Sequence, residues 1–282
     1  MEDSIRKADI LIEALPYLQA FRGRVVVAKY GGSAVDNPSA MRGILQDLVF
    51  LSVVGLHPVL VHGGGPMITK RLAAAGKGTK FVDGMRVTDA QTIRIVKQEL
   101  EAVNARLVEQ IGQLSGHAEG VVAHHGVVVA EPHPRASTLG FVGAVEAIKV
   151  EPLRRVFARQ AIPVVSPIGA QRGQLYNINA DTVASEVAAH LKAEKLVLLT
   201  NVRGILRQAN DSESLISTLS VKEAKLLIER GVIQEGMIPK VHACIDALRG
   251  GVKKAHIIDA AIPRAMLLEI FTKRGIGTEF VK

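Results

Sequence analysis

Short β-branched runs alternate with longer stretches of helical spacing along this chain, and that alternation predicts a mainly parallel sheet with crossover helices. Strands are predicted at Arg24–Tyr30, Pro58–His62, Val121–Ala130, Ile162–Pro167, Lys195–Thr200 and Ala255–Asp259. Their nearly unbroken apolar runs imply burial on both faces, as such a sheet requires. Helical spacing marks Asp89–Ser115, Val183–Lys192, Ser220–Arg230 and Val241–Arg249. The polar stretch Arg207–Ser214 reads as an exposed hairpin or loop. No clear linker and no long repeat interrupts the pattern, which favours two lobes sharing one continuous sheet.

The first twenty residues stand apart. Ile5, Ala8, Ile12 and Leu15 fall on one helical face, widened by Leu11 and Leu18. Pro16 is expected to kink or end that helix. An amphipathic helix ahead of the first core strand either packs on its own subunit or docks on a partner chain, and the pattern alone does not choose.

Composition narrows the classes. At 282 residues, 48% hydrophobic and 22% charged, the chain can bury a large core. Its single cysteine, Cys244, excludes an internal disulfide framework and fits a reducing compartment. The opening residues carry Glu2, Asp3, Arg6, Lys7 and Asp9, unlike a secretory signal. No apolar run reaches the roughly 18 residues of a membrane span. A cytoplasmic protein is expected, or one of an organelle stroma after loss of a transit peptide. The net charge of +8 invites a nucleic-acid reading. Its basic residues are dispersed, however, without interleaved aromatics, and a positive field serves small anions equally well.

The candidate chemistry begins at two glycine turns. Lys29-Tyr30-Gly31-Gly32-Ser33 follows the first strand and His62-Gly63-Gly64-Gly65-Pro66 the second. Glycines let a backbone approach a ligand, and the helix that follows offers free N–H groups to an anion. One such turn needs no ligand to explain it; two on successive strands point to an anionic one. Neither turn matches the P-loop or dinucleotide patterns. Lys29, at the end of a buried strand, calls for an anion to neutralise it. Asn177, Asn179 and Asp181 precede an Ala/Val-rich helix, either as an N-cap or as groups orienting a substrate and a cation. Lys240 follows Pro239 at a helix start. Missing are a Ser/His/Asp order, HExxH and CxxC. Phosphoryl transfer needs mainly positioning and charge neutralisation, and a carboxylate acceptor is already ionised at neutral pH. Magnesium would then be held largely by nucleotide phosphates and water, with no protein metal cage.

The motifs KYGGSA, VHGGGP, DGMRVTD, GFVG, YNINADT, AEKLVLLTNVRGIL, GMIPKV and HIID…LLEIFTKRGIGT run in the order of the N-acetyl-L-glutamate kinases, members of the amino acid kinase family. This resemblance covers nearly the whole chain. It implies a three-layer αβα sandwich: a helix over residues 1–20, an amino-acid-binding and dimer-forming lobe over 21–190, and an ATP-binding lobe over 191–282. It further implies phosphorylation of the γ-carboxylate of N-acetyl-L-glutamate by MgATP in arginine biosynthesis. Lys29 and Lys240 resemble the transition-state stabilisers of that family, and Asp181 the residue organising them. Gly64, Gly65, Arg86 and Asn177 resemble the N-acetylglutamate contacts, and Gly31 and Gly32 the approach to the ATP phosphates. The N-terminal helix is similar to that of arginine-sensitive members, which assemble three dimers into a hexamer. There L-arginine inhibits from a site matched here by Tyr17, Lys195, His256, Glu269 and Gly275. Some members also bind the PII signalling protein. Ala260-Ala261, Glu101-Ala102 and His124-His125 depart from the usual pattern. The adjacent histidines are expected on opposite faces of a strand and not as a metal pair.

Overall fold

The computed structural model describes residues 1–31, 37–208, 211–234, 236–272 and 275–282. From the N-terminus run α1 (Glu2–Phe21), β1 (Val25–Tyr30), α2 (Pro38–Val53), β2 (His57–His62), α3 (Gly65–Ala74), β3 (Phe81–Val82), β4 (Met85–Arg86) and α4 (Ala90–Gln113). There follow β5 (Ala118–Val121), β6 (Val128–Pro132), α5 (Ala136–Leu139), β7 (Gly143–Ile148), α6 (Glu151–Ala158), β8 (Ile162–Val165), β9 (Ile168–Gln171) and β10 (Gln174–Asn177). The chain closes with α7 (Ala180–His190), β11 (Lys195–Thr200), β12 (Thr218–Ser220), α8 (Val221–Glu229), α9 (Ile238–Arg249), β13 (Lys254–Asp259), α10 (Ala265–Phe271) and β14 (Thr278–Val281).

Eight strands form one sheet in the order β12-β14-β13-β11-β1-β2-β8-β5. Every pairing in it is parallel except β13 with β14. Alternation along each strand feeds two cores. Val27, Leu196 and Leu198 pack with Val183 and Val187 of α7 and with Val241 and Leu248 of α9. On the other face Val26, Ala28, Val197 and Leu199 pack with Ile44 of α2, Leu107 of α4 and Met266 of α10. Helices thus cover both faces of a mainly parallel sheet, which is the expected αβα sandwich. A second sheet, β10-β9-β6-β7, and the β3-β4 hairpin extend it beside α3 and α4. Alternation with Val27 also turns Lys29 toward the α7/α9 face.

Two expectations are corrected, the strand over Val121–Ala130 and the placing of His124 and His125. The apolar run Val121–Ala130 is not one strand: β5 ends at Val121, a 3₁₀ turn spans Ala123–His125, and Gly126 takes a left-handed conformation (φ 65°) before β6. Gly126 supplies the φ that a continuing strand cannot adopt. The two parts therefore enter different sheets. His124 and His125 sit side by side on that turn, ring centroids 4.1 Å apart, and not on opposite strand faces. Of the two outcomes expected at Pro16, a kink or an end, the end does not occur: α1 continues to Phe21. The carbonyl left without an amide partner by Pro16 belongs to Ile12, which is 68% exposed, so water can serve it. The end of α1 is anchored by Phe21, edge-on to Phe271 of α10 at 6.1 Å. The ends of the Arg207–Ser214 stretch, expected as an exposed hairpin or loop, come together: Leu206 and Leu215 form an antiparallel bridge, and Arg207 N–H donates to the Ser214 carbonyl at 3.0 Å; Ala209 and Asn210 lie outside the described residues.

Candidate active site

Three elements converge on one carboxylate. Lys29 is the last residue but one of β1, Asp181 lies in the first turn of α7, and Lys240 lies in the first turn of α9. The start of α7 is set by Asn179, whose Oδ1 accepts from the N–H groups of Asp181 (2.7 Å) and Thr182 (3.4 Å). Asn179 is therefore the N-cap, and the Asp181 side chain is left for other work. Lys29 Nζ stands 2.8 Å from Asp181 Oδ1, and Lys240 Nζ 3.4 Å from Oδ2. Both Lys29 and Asp181 side chains are only 6% exposed. Burial alone would push the Asp181 carboxyl up; the charges of Lys29 and Lys240 outweigh it and hold the group below the usual carboxylate range. One anion between two cations leaves a local excess of one positive charge.

The two glycine turns pack against each other. Gly63 N–H donates to the Tyr30 carbonyl at 2.8 Å. A Cβ on Gly31 would lie 3.0 Å from both the N and Cα of Gly63, so a side chain there would force the turns apart. Gly64 is the N-cap of α3, where a Cβ would meet Leu100 of α4 at 2.8 Å. Open space surrounds the Cβ position of Gly65. Gly32 lies outside the described residues.

A cavity of about 250 Å³ is lined by Lys29, Gly64, Gly65, Arg86, Asn177 and Asp181, among others. The structure thus gathers those six sequence-predicted residues around one space, and Lys240 joins them through Asp181. Arg86 is 6% exposed. Its Nη2 donates to the Gly65 carbonyl (3.0 Å) and Thr69 Oγ1 (2.8 Å), its Nη1 to Thr79 Oγ1 (3.2 Å). Its guanidinium carbon lies 4.8 Å from the centre of the Phe81 ring. All these partners are neutral, so the cavity wall carries a buried cation facing no carboxylate among the described residues. Asn177 Nδ2 donates to Thr88 Oγ1 at 3.2 Å. Phe81 and Met85 of the hairpin also line the cavity; Phe81 carried no signal in the sequence, and Met85 none beyond its place in DGMRVTD. Asn179, in the same wall, was legible as an N-cap candidate, the role it fills at α7.

A second cluster gathers four of the five residues matched to an inhibitor site. His256 on β13 and Glu269 on α10 meet at 2.6 Å, Nδ1 to Oε1, and both are almost fully buried. Burial lowers the His256 pKa and outweighs the raising effect of Glu269, so its neutral ring donates to an ionised carboxylate. Glu269 itself is held below its ordinary value: burial pushes it up, but His256 and the Ile276 N–H, at 2.7 Å from Oε2, prevail. Gly275 takes φ 64°, and a Cβ there would lie 2.9 Å from Glu269 Oε1. Lys195 Nζ donates to the Glu269 main-chain carbonyl at 3.1 Å, 5.7 Å from the Phe21 ring centre. Glu269 and Gly275 line an open groove. Tyr17, half-buried on α1, has no hydrogen bond to these four among the described residues.

A parallel αβα sandwich whose glycine turns and paired lysines surround an anion-seeking cavity defines a phosphotransferase scaffold. Residues 24–259 match the amino acid kinase family, and the chain belongs to it. The acetylglutamate kinase of Heliobacterium modesticaldum is 46% identical over 297 residues, across the full length of both chains. Two solved structures of the N-acetylglutamate synthase from Neisseria gonorrhoeae superpose well. The one complexed with coenzyme A and N-acetyl-glutamate gives a TM-score of 0.85 at 28% identity over 96% of this chain. The complex with coenzyme A and L-arginine gives 0.81 at 28% identity over 96%. This chain spans only 62% and 64% of those longer chains.

Proposed function

We propose that the protein is an ATP-dependent acetylglutamate kinase, forming an acyl phosphate on the γ-carboxylate of N-acetyl-L-glutamate in arginine biosynthesis. The observation that carries this reading is the Lys29–Asp181–Lys240 arrangement at the edge of a cavity that also holds a buried, uncompensated guanidinium. Full-length similarity to acetylglutamate kinases names the acceptor.

The chemistry follows from charge. A γ-carboxylate oxygen attacks the γ-phosphorus of ATP; the new O–P bond forms as the bond to the β-phosphate oxygen breaks, and ADP leaves. The acceptor is already an anion at neutral pH, so no general base is required. What opposes the step is repulsion between two anions. Lys29 and Lys240 relieve it, and Asp181 keeps both ammonium groups fixed so that little reorganisation accompanies the charge shift. Arg86 is suited to the α-carboxylate, which its planar fork can hold bidentately. Gly64 and Gly65 let the backbone approach the acceptor, and Gly31, with Gly32, the ATP phosphates. Magnesium would screen phosphate charge. Asp181 is already ion-paired with two lysines, which supports a metal held by phosphate oxygens and water instead.

Lys195, His256, Glu269, Gly275 and Tyr17 form the arginine-inhibition site in this reading, with the Glu269 carboxylate taking the guanidinium. The complex of the N. gonorrhoeae synthase with L-arginine supports it. The exposed apolar residues of α1 support assembly into a homo-oligomer, a dimer or a trimer of dimers. The lobes meet near residue 190, and the setting is cytoplasmic. Release of ADP together with an acyl phosphate trapped by hydroxylamine tests the reaction.

A further inference from the structure

Behind the HGGGP turn lies a buried polar chain that does not reach the cavity. His62 closes β2 and is 1% exposed; Asn104 on α4 is 2% exposed. Asn104 Nδ2 stands 2.7 Å from the Val164 carbonyl oxygen and 3.1 Å from His62 Nε2. His62 Nδ1 stands 3.1 Å from the Gly63 carbonyl oxygen. Neither side chain lines the cavity that Gly63, Gly64 and Gly65 border.

One assignment of protons satisfies all three contacts. A carbonyl oxygen only accepts, so the Asn104 atom facing Val164 is the amide nitrogen. Its second N–H points at His62 Nε2, which must accept. In a neutral imidazole Nδ1 then carries the hydrogen and donates to the Gly63 carbonyl. The ring is neutral: burial lowers its pKa to about 4, against the opposing pull of that carbonyl.

This last bond aims a peptide. Gly63 N–H is already taken by Tyr30, and Gly64 C=O accepts from Ile68 N–H at 2.9 Å. Peptide bonds here are trans, so Gly64 N–H points opposite to Gly63 C=O. With that carbonyl turned back to the imidazole, the N–H is turned away from it, and Gly64 itself lines the cavity. That N–H has no protein acceptor among the described residues. Three glycines in succession supply no side chain to hold such an orientation.

We propose that His62, fixed by Asn104 in its Nδ1–H tautomer, is a positioning residue that aims the Gly64 N–H at the anion undergoing phosphoryl transfer. The proposal rests on the carboxylate-kinase reading above. Removing one preorganised donor of this kind costs on the order of 10²-fold in turnover. Kinetics of His62→Leu and His62→Asn test it, since the Asn amide nitrogen can stand near the position of Nδ1. The expected result for His62→Leu is a kcat about 10²-fold lower, with KM values for ATP and acceptor within about threefold; His62→Asn recovers kcat to within about tenfold of the unaltered enzyme. Equal losses in both variants, or a loss confined to KM, would overturn it. ¹⁵N NMR of histidine-labelled unaltered protein at pH 7.5, with His62→Asn assigning the signal, reads the tautomer directly whether or not His62→Leu folds. A bare Nε2 and protonated Nδ1 are expected; protonation at Nε2 refutes the proposal. Absence of turnover in the unaltered protein would count against the kinase reading alone, because the tautomer is read without substrate.

Discussion

Asp181 is buried between two lysines that could not share that corner of the fold without it. The carboxylate holds Lys29 and Lys240 near the cavity while leaving them a net positive charge. Replacing Lys240 by alanine is therefore expected to lower kcat by about 10²–10³-fold while substrate affinity changes little, as measured by steady-state kinetics beside acceptor binding. An equal loss of both would mean that Lys240 contributes only ground-state binding. His62 makes a different prediction, about stability. Its pKa is about 4 in the fold against 6.5 in an unfolded chain. Between those values the unfolded state binds the extra proton, so stability falls as pH drops through that window, by on the order of 3 kcal/mol in total. Urea unfolding from pH 7 to 4.5 should show a shallower fall in His62→Asn than in the unaltered protein; equal slopes would contradict the buried neutral ring. Lys29 and Asp181 could be singled out from residue type beside glycine and a helix start. Arg86 was legible only through its motif, because the Phe81 ring and the threonines that hold it come from elsewhere in the chain.

At the scale of elements, the central strands were legible because both of their faces are buried, and unbroken apolar runs say so. Apolar content without a turn signal misled at Val121–Ala130, where the one glycine, Gly126, marks the change of sheet. At Pro16 the helix does not end: a proline interrupts a helix less where its orphaned carbonyl meets water. Helix α1 carries Ile5, Ile12 and Leu15 at 55%, 68% and 44% exposure, and among the described residues Phe21 ties its end to Phe271 and Lys195. An apolar face exposed on a helix is stabilised when it is covered. If the proposed arginine-inhibited trimer of dimers is right, deleting residues 1–20 leaves a dimer that arginine does not inhibit, measured by light scattering and by initial rates. An unchanged larger assembly would contradict a docking role for α1.

For the whole molecule, the main sheet explains how Lys29, Gly64, Asp181 and Lys240 come together, while Asn177 on β10 and Arg86 on β4 reach the same cavity from the two smaller sheets. The parallel strands β1 and β2 end side by side, and α7 and α9 begin above them, so that strand ends and helix starts converge. That convergence follows from parallel topology, which the alternation of elements predicted. The cavity's size and its uncompensated guanidinium did not follow from it, since they depend on the β3-β4 hairpin, two short strands without a periodic signature. The central claim is that this space joins a nucleotide's phosphoryl group to an amino-acid carboxylate. It is tested most directly by incubating the protein with MgATP and hydroxylamine, offering N-acetyl-L-glutamate, glutamate or aspartate in turn, and measuring ADP and hydroxamate together. ADP and hydroxamate in equal amounts with N-acetyl-L-glutamate, and far less with the other two, is the predicted result; ADP without hydroxamate, or no turnover of the acetylated acceptor, would contradict it.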